Sequence, residues 1–327
     1  MQTRLFIFIF LLSCSLQAQQ LPLFTQYREY HSIINPATIN SDYMTYEHNV
    51  SAGVSWRNQW TDLGGIGPKT GVARFESVHS DYNMLGGMYL IHDKVGPSFL
   101  TGLMARYAYV LSDDPRERGL SIGLNAGVVR SGIATEEISF TTNNPNIPNG
   151  NLFSWHPDFG VGMFYYQSFG RRGFDGDKFY AGISVPQTFN LKSTYKYVNS
   201  GVGPTFINQR VPHYFALIGM YKYLNEASFL EPSAWIRYVV GNKKPSIDAN
   251  LRYQMQQSFW IGCGYSTTGQ IHAEAGFLLG ENIDWDGQNV KLGFGFDAPL
   301  NSTYGPSFGN SFEFNLSWTL DTGGRRR

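Results

Sequence analysis

The chain has 327 residues, with 25 Lys plus Arg balancing 25 Asp plus Glu, only 15% charged residues, 16% aromatic residues and 36 glycines. An ordinary soluble domain carries about 25% charged residues and about 7% glycine, so this composition points away from a cytosolic enzyme. With no basic surplus to neutralise phosphates, nucleic acid is not an expected partner.

Residues Met1 to Ala18 hold one cation, Arg4, then the apolar run Leu5 to Leu12 and a polar stretch ending in Ala18. That order describes an export signal, with cleavage predicted after Ala18. The rival is a lipobox at Leu11-Leu12-Ser13-Cys14, which Leu12 fits poorly. After cleavage one cysteine remains, Cys263, so no intramolecular disulfide is expected and Cys263 reads as a small packed residue. Past the leader, no stretch approaches the roughly 20 apolar residues of a membrane-spanning helix.

A period of two dominates instead. In Leu120-Ser121-Ile122-Gly123-Leu124-Asn125-Ala126-Gly127-Val128 every second side chain is apolar, and Phe312, Phe314, Leu316, Trp318 and Leu320 repeat the pattern near the end. Strands are predicted near 47–60, 69–78, 84–93, 100–111, 119–130, 158–169, 178–186, 214–224, 229–240, 246–255, 259–265, 271–279, 290–297 and 311–320. One phase carries Val50, Val54, Trp56, Ala73, Phe75, Tyr89, Ile91, Leu103, Tyr107, Tyr109, Ile247, Leu251, Phe294 and Phe296. The other carries Ser51, Arg57, Arg74, Glu76, Arg106, Arg237, Asp248, Asn250, Arg252 and Glu274. Many runs exceed the about 5–6 residues of a sandwich strand. A greasy phase that meets lipid leaves backbone groups no partner unless the sheet closes. The fold class is therefore all-β: a transmembrane antiparallel up-and-down β-barrel of about fourteen strands. The domain plan is a signal peptide over 1–18, a periplasmic N-terminal segment over 19–42 and an outer-membrane barrel over 43–327.

The longest connections, 131–157, 187–213 and 298–310, follow the fifth, seventh and thirteenth strands, so all three fall on the external side of a barrel whose ends are periplasmic. Trp56, Trp60, Trp155, Trp260, Trp285 and Trp318 lie mostly near strand ends and read as interfacial girdle residues. The strand holding Phe259, Ile261 and Cys263 against Trp260, Gly262 and Gly264 has no clear polar phase, and its orientation stays open.

Gln20-Leu21-Pro22 with Phe24, Gln26 and Tyr27, then Asn35-Pro36-Ala37, Trp56-Arg57-Asn58-Gln59-Trp60, Pro68-Lys69-Thr70, Gly86-Gly87 and His92-Asp93-Lys94-Val95-Gly96 together resemble the PorP/SprF family of outer-membrane proteins. The resemblance is dense over 19–130 and thinner afterwards. It implies a part in type IX secretion and gliding motility: export or display of large adhesin-like cargo, through the cargo's C-terminal domain, or linkage to the periplasmic ring apparatus. Expected partners are secreted cargo, components of that system and outer-membrane lipid. The family carries no residue-level site onto this chain.

No zinc motif is present, and Gly264-Tyr265-Ser266-Thr267-Thr268 lacks the second glycine of a nucleophile elbow. Asn282-Ile283-Asp284-Trp285-Asp286-Gly287 begins like a calcium loop, but Gly293 stands where its bidentate glutamate belongs. Both this run and Asp175-Gly176-Asp177 read as turns. No cofactor and no enzyme activity are expected. The inward Arg57, Arg74, Arg106, Arg237 and Arg252, with Glu76, Asp248, Glu274 and Glu313, suit ion-paired bracing of the wall. With the small Gly123, Gly127, Gly160 and Gly162 they also suit a wet lumen that holds a polypeptide. Trp155, Tyr195, Tyr197 and Phe206 in the long connections are candidate aromatic anchors for cargo. The segment Gln19 to Asp42 fits a periplasmic strap, a lumen plug or a docking arm. The alternatives to a cargo-binding barrel are a diffusion porin or ligand transporter, and an outer-membrane enzyme.

Overall fold

The computed structural model describes residues 22–134, 152–169, 176–189, 210–225, 228–255, 258–280, 285, 287–300 and 308–322, and the backbone alone of 191–196 and 205–209. Alternation decides the architecture. Among the described residues sixteen strands form, β1 (Val50–Asn58), β2 (Lys69–His79), β3 (Met84–Val95), β4 (Ser98–Leu111), β5 (Arg118–Ile133), β6 (Leu152–Ser168), β7 (Lys178–Val185), β8 (Leu191–Lys196), β9 (Thr205–Arg210), β10 (His213–Asn225), β11 (Ser228–Val239), β12 (Ser246–Met255), β13 (Phe259–Ser266), β14 (Gln270–Leu279), β15 (Gln288–Pro299) and β16 (Ser311–Leu320). Fourteen of them close an antiparallel barrel in which β1 pairs β16 and β7 pairs β10, while β8 and β9 form a separate hairpin. Closure leaves no free edge, as lipid requires.

Strand β5 gives the membrane span. Its outward phase is apolar from Leu120 through Ile122, Leu124, Ala126 and Val128, and is bounded by Arg118 and Arg130. Twelve residues at about 3.4 Å, tilted by about 45°, cross roughly 29 Å, close to the about 30 Å hydrocarbon core. The rim where β1 and β5 end carries the longer connections and is called the upper rim. The rim where β1 begins and β16 ends is the lower one.

The phase assignment needs three corrections. Tyr89 and Ile91 on β3 point inward and are buried, while Met88 and Leu90 face outward. Trp260 is inward, 1% exposed, and so is not a girdle residue, which also fixes β13: Ile261 and Cys263 face out. Cys263 is therefore an outer-wall residue and not a packed one. Trp56, Trp155, Trp285 and Trp318 are exposed, and Trp60 packs on Phe308 with ring centres 5.5 Å apart.

The inward apolar side chains have something to pack on. Residues 22–46 lie inside the barrel, comprising a 3-10 turn (Tyr27–Tyr30), α1 (His31–Ile34) and α2 (Ser41–Tyr46). Phe24, Tyr27, Tyr30, Ile33, Ile34, Ala37, Ile39, Tyr43 and Met44 share one core with Phe164, Tyr180, Phe215, Tyr221, Phe229 and Trp235 of the wall. Of the three placements considered for Gln19 to Asp42, the described part has that of a plug. The first strand begins at Val50, so residues 43–46 belong to the plug and not to the wall.

Candidate functional site

The plug is fastened at three levels, each by residues that neither period two nor helical spacing would single out. Near the upper rim, Glu313 accepts from the backbone N–H of Thr25 at 2.8 Å and of Gln26 at 3.1 Å. The Thr25 hydroxyl donates to Asp297 at 2.8 Å and accepts from Arg57, which also pairs with Asp297 and, at 3.0 Å, with Glu313. His272 Nδ1 stands 2.6 Å from the same Asp297.

At mid-height Asn35 explains the Asn-Pro-Ala motif. Its Oδ1 accepts from Ala37 N at 2.9 Å, closing an Asx turn, while Nδ2 donates to the wall carbonyl of Met163 at 2.9 Å. Close approach demands glycine opposite. A Cβ on Gly162 would stand 2.0 Å from Asn35 Oδ1, and one on Gly123 would stand 2.6 Å from Ala37 Cα. Ser184 Oγ donates to Ile34 O at 2.7 Å.

Lower down, Glu29 takes Arg74 at 3.0 Å and Lys291 at 2.9 Å, and Lys291 also holds Asp42 at 2.7 Å. Burial alone would raise the Glu29 carboxyl, but Lys291 and Arg74 hold it below the usual range. Burial, assisted by Arg28, lowers the His31 imidazole to about 3. Arg28 pairs with Glu231 at 3.0 Å and lies over the Tyr221 ring at 5.3 Å. Lys178 Nζ donates to Met44 O at 2.7 Å where the chain leaves the lumen to begin β1.

The five arginines expected to meet cargo are all buried and engaged within the chain. Arg57 and Arg74 hold the plug as above, and Arg106 donates to Thr38 O at 2.9 Å and pairs with Glu76 at 3.3 Å. Arg237 pairs with Asp248 at 2.6 Å, while Arg252 lies 4.0 Å from Glu274 and over Trp260 at 4.4 Å. The lumen is thus filled by the chain's own segment, in place of the roomy, wet space expected. Trp155 lies on strand β6 and not in a loop, because β5 and β6 run on to Ile133 and from Leu152. Tyr195 and Phe206 stand opposite each other in the β8–β9 register, and Tyr197 lies outside the described residues. Arg210, at the end of β9, pairs with the buried Asp158 of β6 at 2.7 Å and ties the β7–β10 connection to the wall.

Among the described residues no His, Cys, Asp and Glu gather as a metal site. The calcium-like run at 282–287 lies largely outside the described residues, while Asp177 of the 175–177 run accepts from the Tyr223 backbone N–H at 3.1 Å and pairs with Lys222. Ser266 Oγ bonds Thr268 at 2.7 Å and His272 Nδ1 stands 2.6 Å from Asp297, so the partners shown for these two residues are not each other.

The family model for type IX secretion system membrane protein PorP/SprF matches residues 16–318. The chain belongs to that family. The sequence matches no curated protein. By structure it is similar to the CymD monoaromatic hydrocarbon channel, with TM-score 0.51 and 11% identity over 92% of this chain and 94% of that one. It is also similar to the P. putida toluene transporter TodX, with TM-score 0.52 and 9% identity over 89% and 93%. At those identities the likeness is one of fold. A closed fourteen-strand barrel in a type IX membrane family places this PorP/SprF protein in the outer membrane.

Proposed function

We propose that this PorP/SprF protein is a non-enzymatic component of type IX secretion that retains secreted adhesin-like cargo at the cell surface by the cargo's C-terminal domain, in support of gliding motility. The observation that carries the reading is the occupied lumen: among the described residues the barrel's interior is bonded to the chain's own segment from Thr25 to Met44, which favours a partner surface at the rims. The upper rim supplies such a surface. There the β5–β6 hairpin continues past the apolar belt with Phe153 and Trp155 exposed, and its strand β6 contacts β8 of the β8–β9 hairpin. The porin and hydrocarbon-channel reading, which the likeness to CymD and TodX would favour, requires that the plug leave.

The test is affinity capture of the tagged protein from detergent-dissolved native outer membranes. Recovery of a secreted protein through its C-terminal domain, lost on shortening the β8–β9 hairpin, supports cargo retention. Recovery of periplasmic apparatus alone supports the anchor reading, and recovery of neither contradicts both.

A further inference from the structure

Among the described residues no anion pairs with Arg130. It lies on the outward phase of β5, two residues above Val128, the last apolar side chain of that row. Its guanidinium is held by rings, 3.9 Å from the centre of Phe153, 5.4 Å from Phe99 and 6.0 Å from Trp155. Its Nε has no hydrogen-bond partner, and no carboxylate among the described residues pairs with it. The outward Arg118 at the opposite end of the same row, by contrast, pairs with Asp113 at 2.9 Å. Aromatic faces steady a cation but leave its fork of donors unspent.

The register fixes the depth. Across β3 to β6 one outward row reads His92, Thr101, Arg130, Trp155, and the row toward the upper rim reads Lys94, Phe99, Gly132, Phe153, with Lys69 of β2 opposite Lys94. Neither row holds an acidic residue. The row below is Leu90, Leu103, Val128, Pro157, already at hydrocarbon depth. Farther down the same wall is concave: a hollow of about 780 Å³ is lined by Tyr107, Ile122, Leu124, Val161, Met163 and Ile183 among others. From Leu124 to Arg130 is roughly 20 Å along the strand, or about 14 Å of depth at a 45° tilt, half of the hydrocarbon core.

We propose that Arg130 and this hollow form one binding site for a phosphorylated lipid of the outer leaflet, with the headgroup phosphate on the Arg130 guanidinium and acyl chains along Val128 and Pro157 into the hollow. Charge complementarity selects the head, because at the boundary of the belt an unpaired, ring-held guanidinium meets lipid phosphate. The concave apolar wall selects the tails. The site stands without the cargo reading, although Phe153 and Trp155 of the surface offered to cargo also clasp its Arg130.

The test is native mass spectrometry of the purified, folded mature chain in detergent, titrated with bisphosphorylated lipid A and with the same lipid A stripped of phosphate. The expected result is one retained lipid, with the phosphorylated form bound at least about tenfold tighter, the equivalent of one charge-assisted contact. Arg130→Gln loses that preference and Arg130→Lys keeps part of it, while Arg118→Gln leaves it intact. Unchanged heat-dependent gel mobility verifies the fold of each variant. The proposal is overturned if Arg130→Gln retains the preference, if the wild type binds both lipids alike, or if millimolar inorganic phosphate displaces the lipid, which would mark a free-phosphate site.

Discussion

Lys291 Nζ on strand β15 stands 2.9 Å from Glu29 Oε2 on the plug, 262 residues away in sequence and closed off from solvent. A buried ion pair of this kind contributes little against well-packed apolar residues, but losing one member leaves an uncompensated charge in a poorly solvated space. Here the loss is compounded, because Lys291 also serves Asp42 and Glu29 also serves Arg74. The pair therefore acts as a latch between the plug and the wall.

Lys291→Ala should weaken plug seating by about 3–5 kcal/mol, the usual cost of orphaning a buried partner. The check is twofold: a lower temperature for the heat-dependent gel shift, and stepwise conductance in planar bilayers where the wild type is silent. Arg118→Ala, which removes an exposed ion pair, should change neither.

Acid should loosen the plug, with a definite sign. The His31 imidazole is held near 3 in the seated plug by burial and by Arg28, with Arg74 acting in the same direction and Glu29 opposing. Released, it titrates near 6.5. A group depressed in the seated state contributes stability that is complete above the free value and is lost as pH falls through the window between 6.5 and 3. At pH 5 the loss is roughly 2 kcal/mol. Glu29, held below its ordinary range, adds a loss in the same direction at lower pH still. Bilayer conductance should rise between pH 6.5 and 4, and His31→Gln should flatten the upper part of that rise.

The outward face should behave as a lipid contact. Leu124→Arg places a charge near mid-membrane, where it costs about 2–4 kcal/mol, while Glu117→Arg beyond the belt should be neutral. Urea unfolding in lipid vesicles measures both. Cys263 offers a chemical version: a lipid-soluble maleimide should label it in intact membranes, and a charged, water-soluble one should not.

The wall was legible because lipid on one side imposes strict alternation, and thirteen of the predicted strands needed only small changes at their ends. The β5–β6 hairpin was underestimated at its upper end, since beyond the membrane nothing forces residues 131–133 and 152–157 to alternate apolar with polar. The plug left no such rhythm: its partners are single contacts such as Thr25 to Glu313 and Asp42 to Lys291, each joining opposite ends of the chain. Its trace survived elsewhere, in inward residues that violate the pattern. Tyr89, Ile91 and Trp260 are apolar where a wet lumen calls for polar groups, and Gly123, Gly162 and Gly293 are small where the plug comes closest. The aromatic clasp of Arg130 was equally hidden, because Phe99, Phe153 and Trp155 come together only through strand register.

The central claim, that the chain's own N-terminal segment occupies the barrel, is tested most directly by a cross-link. A Cβ added at Gly295 would stand 3.0 Å from the Cβ of Thr25, so a shift of about half an ångström apart brings the two to the roughly 3.5–4.5 Å of a disulfide. In a Cys263→Ser background, Thr25→Cys with Gly295→Cys should form that disulfide in intact outer membranes, leaving both thiols closed to maleimide until reductant is added. Free thiols at both positions, labelled by a water-soluble maleimide under oxidising conditions while the barrel remains folded, would contradict it.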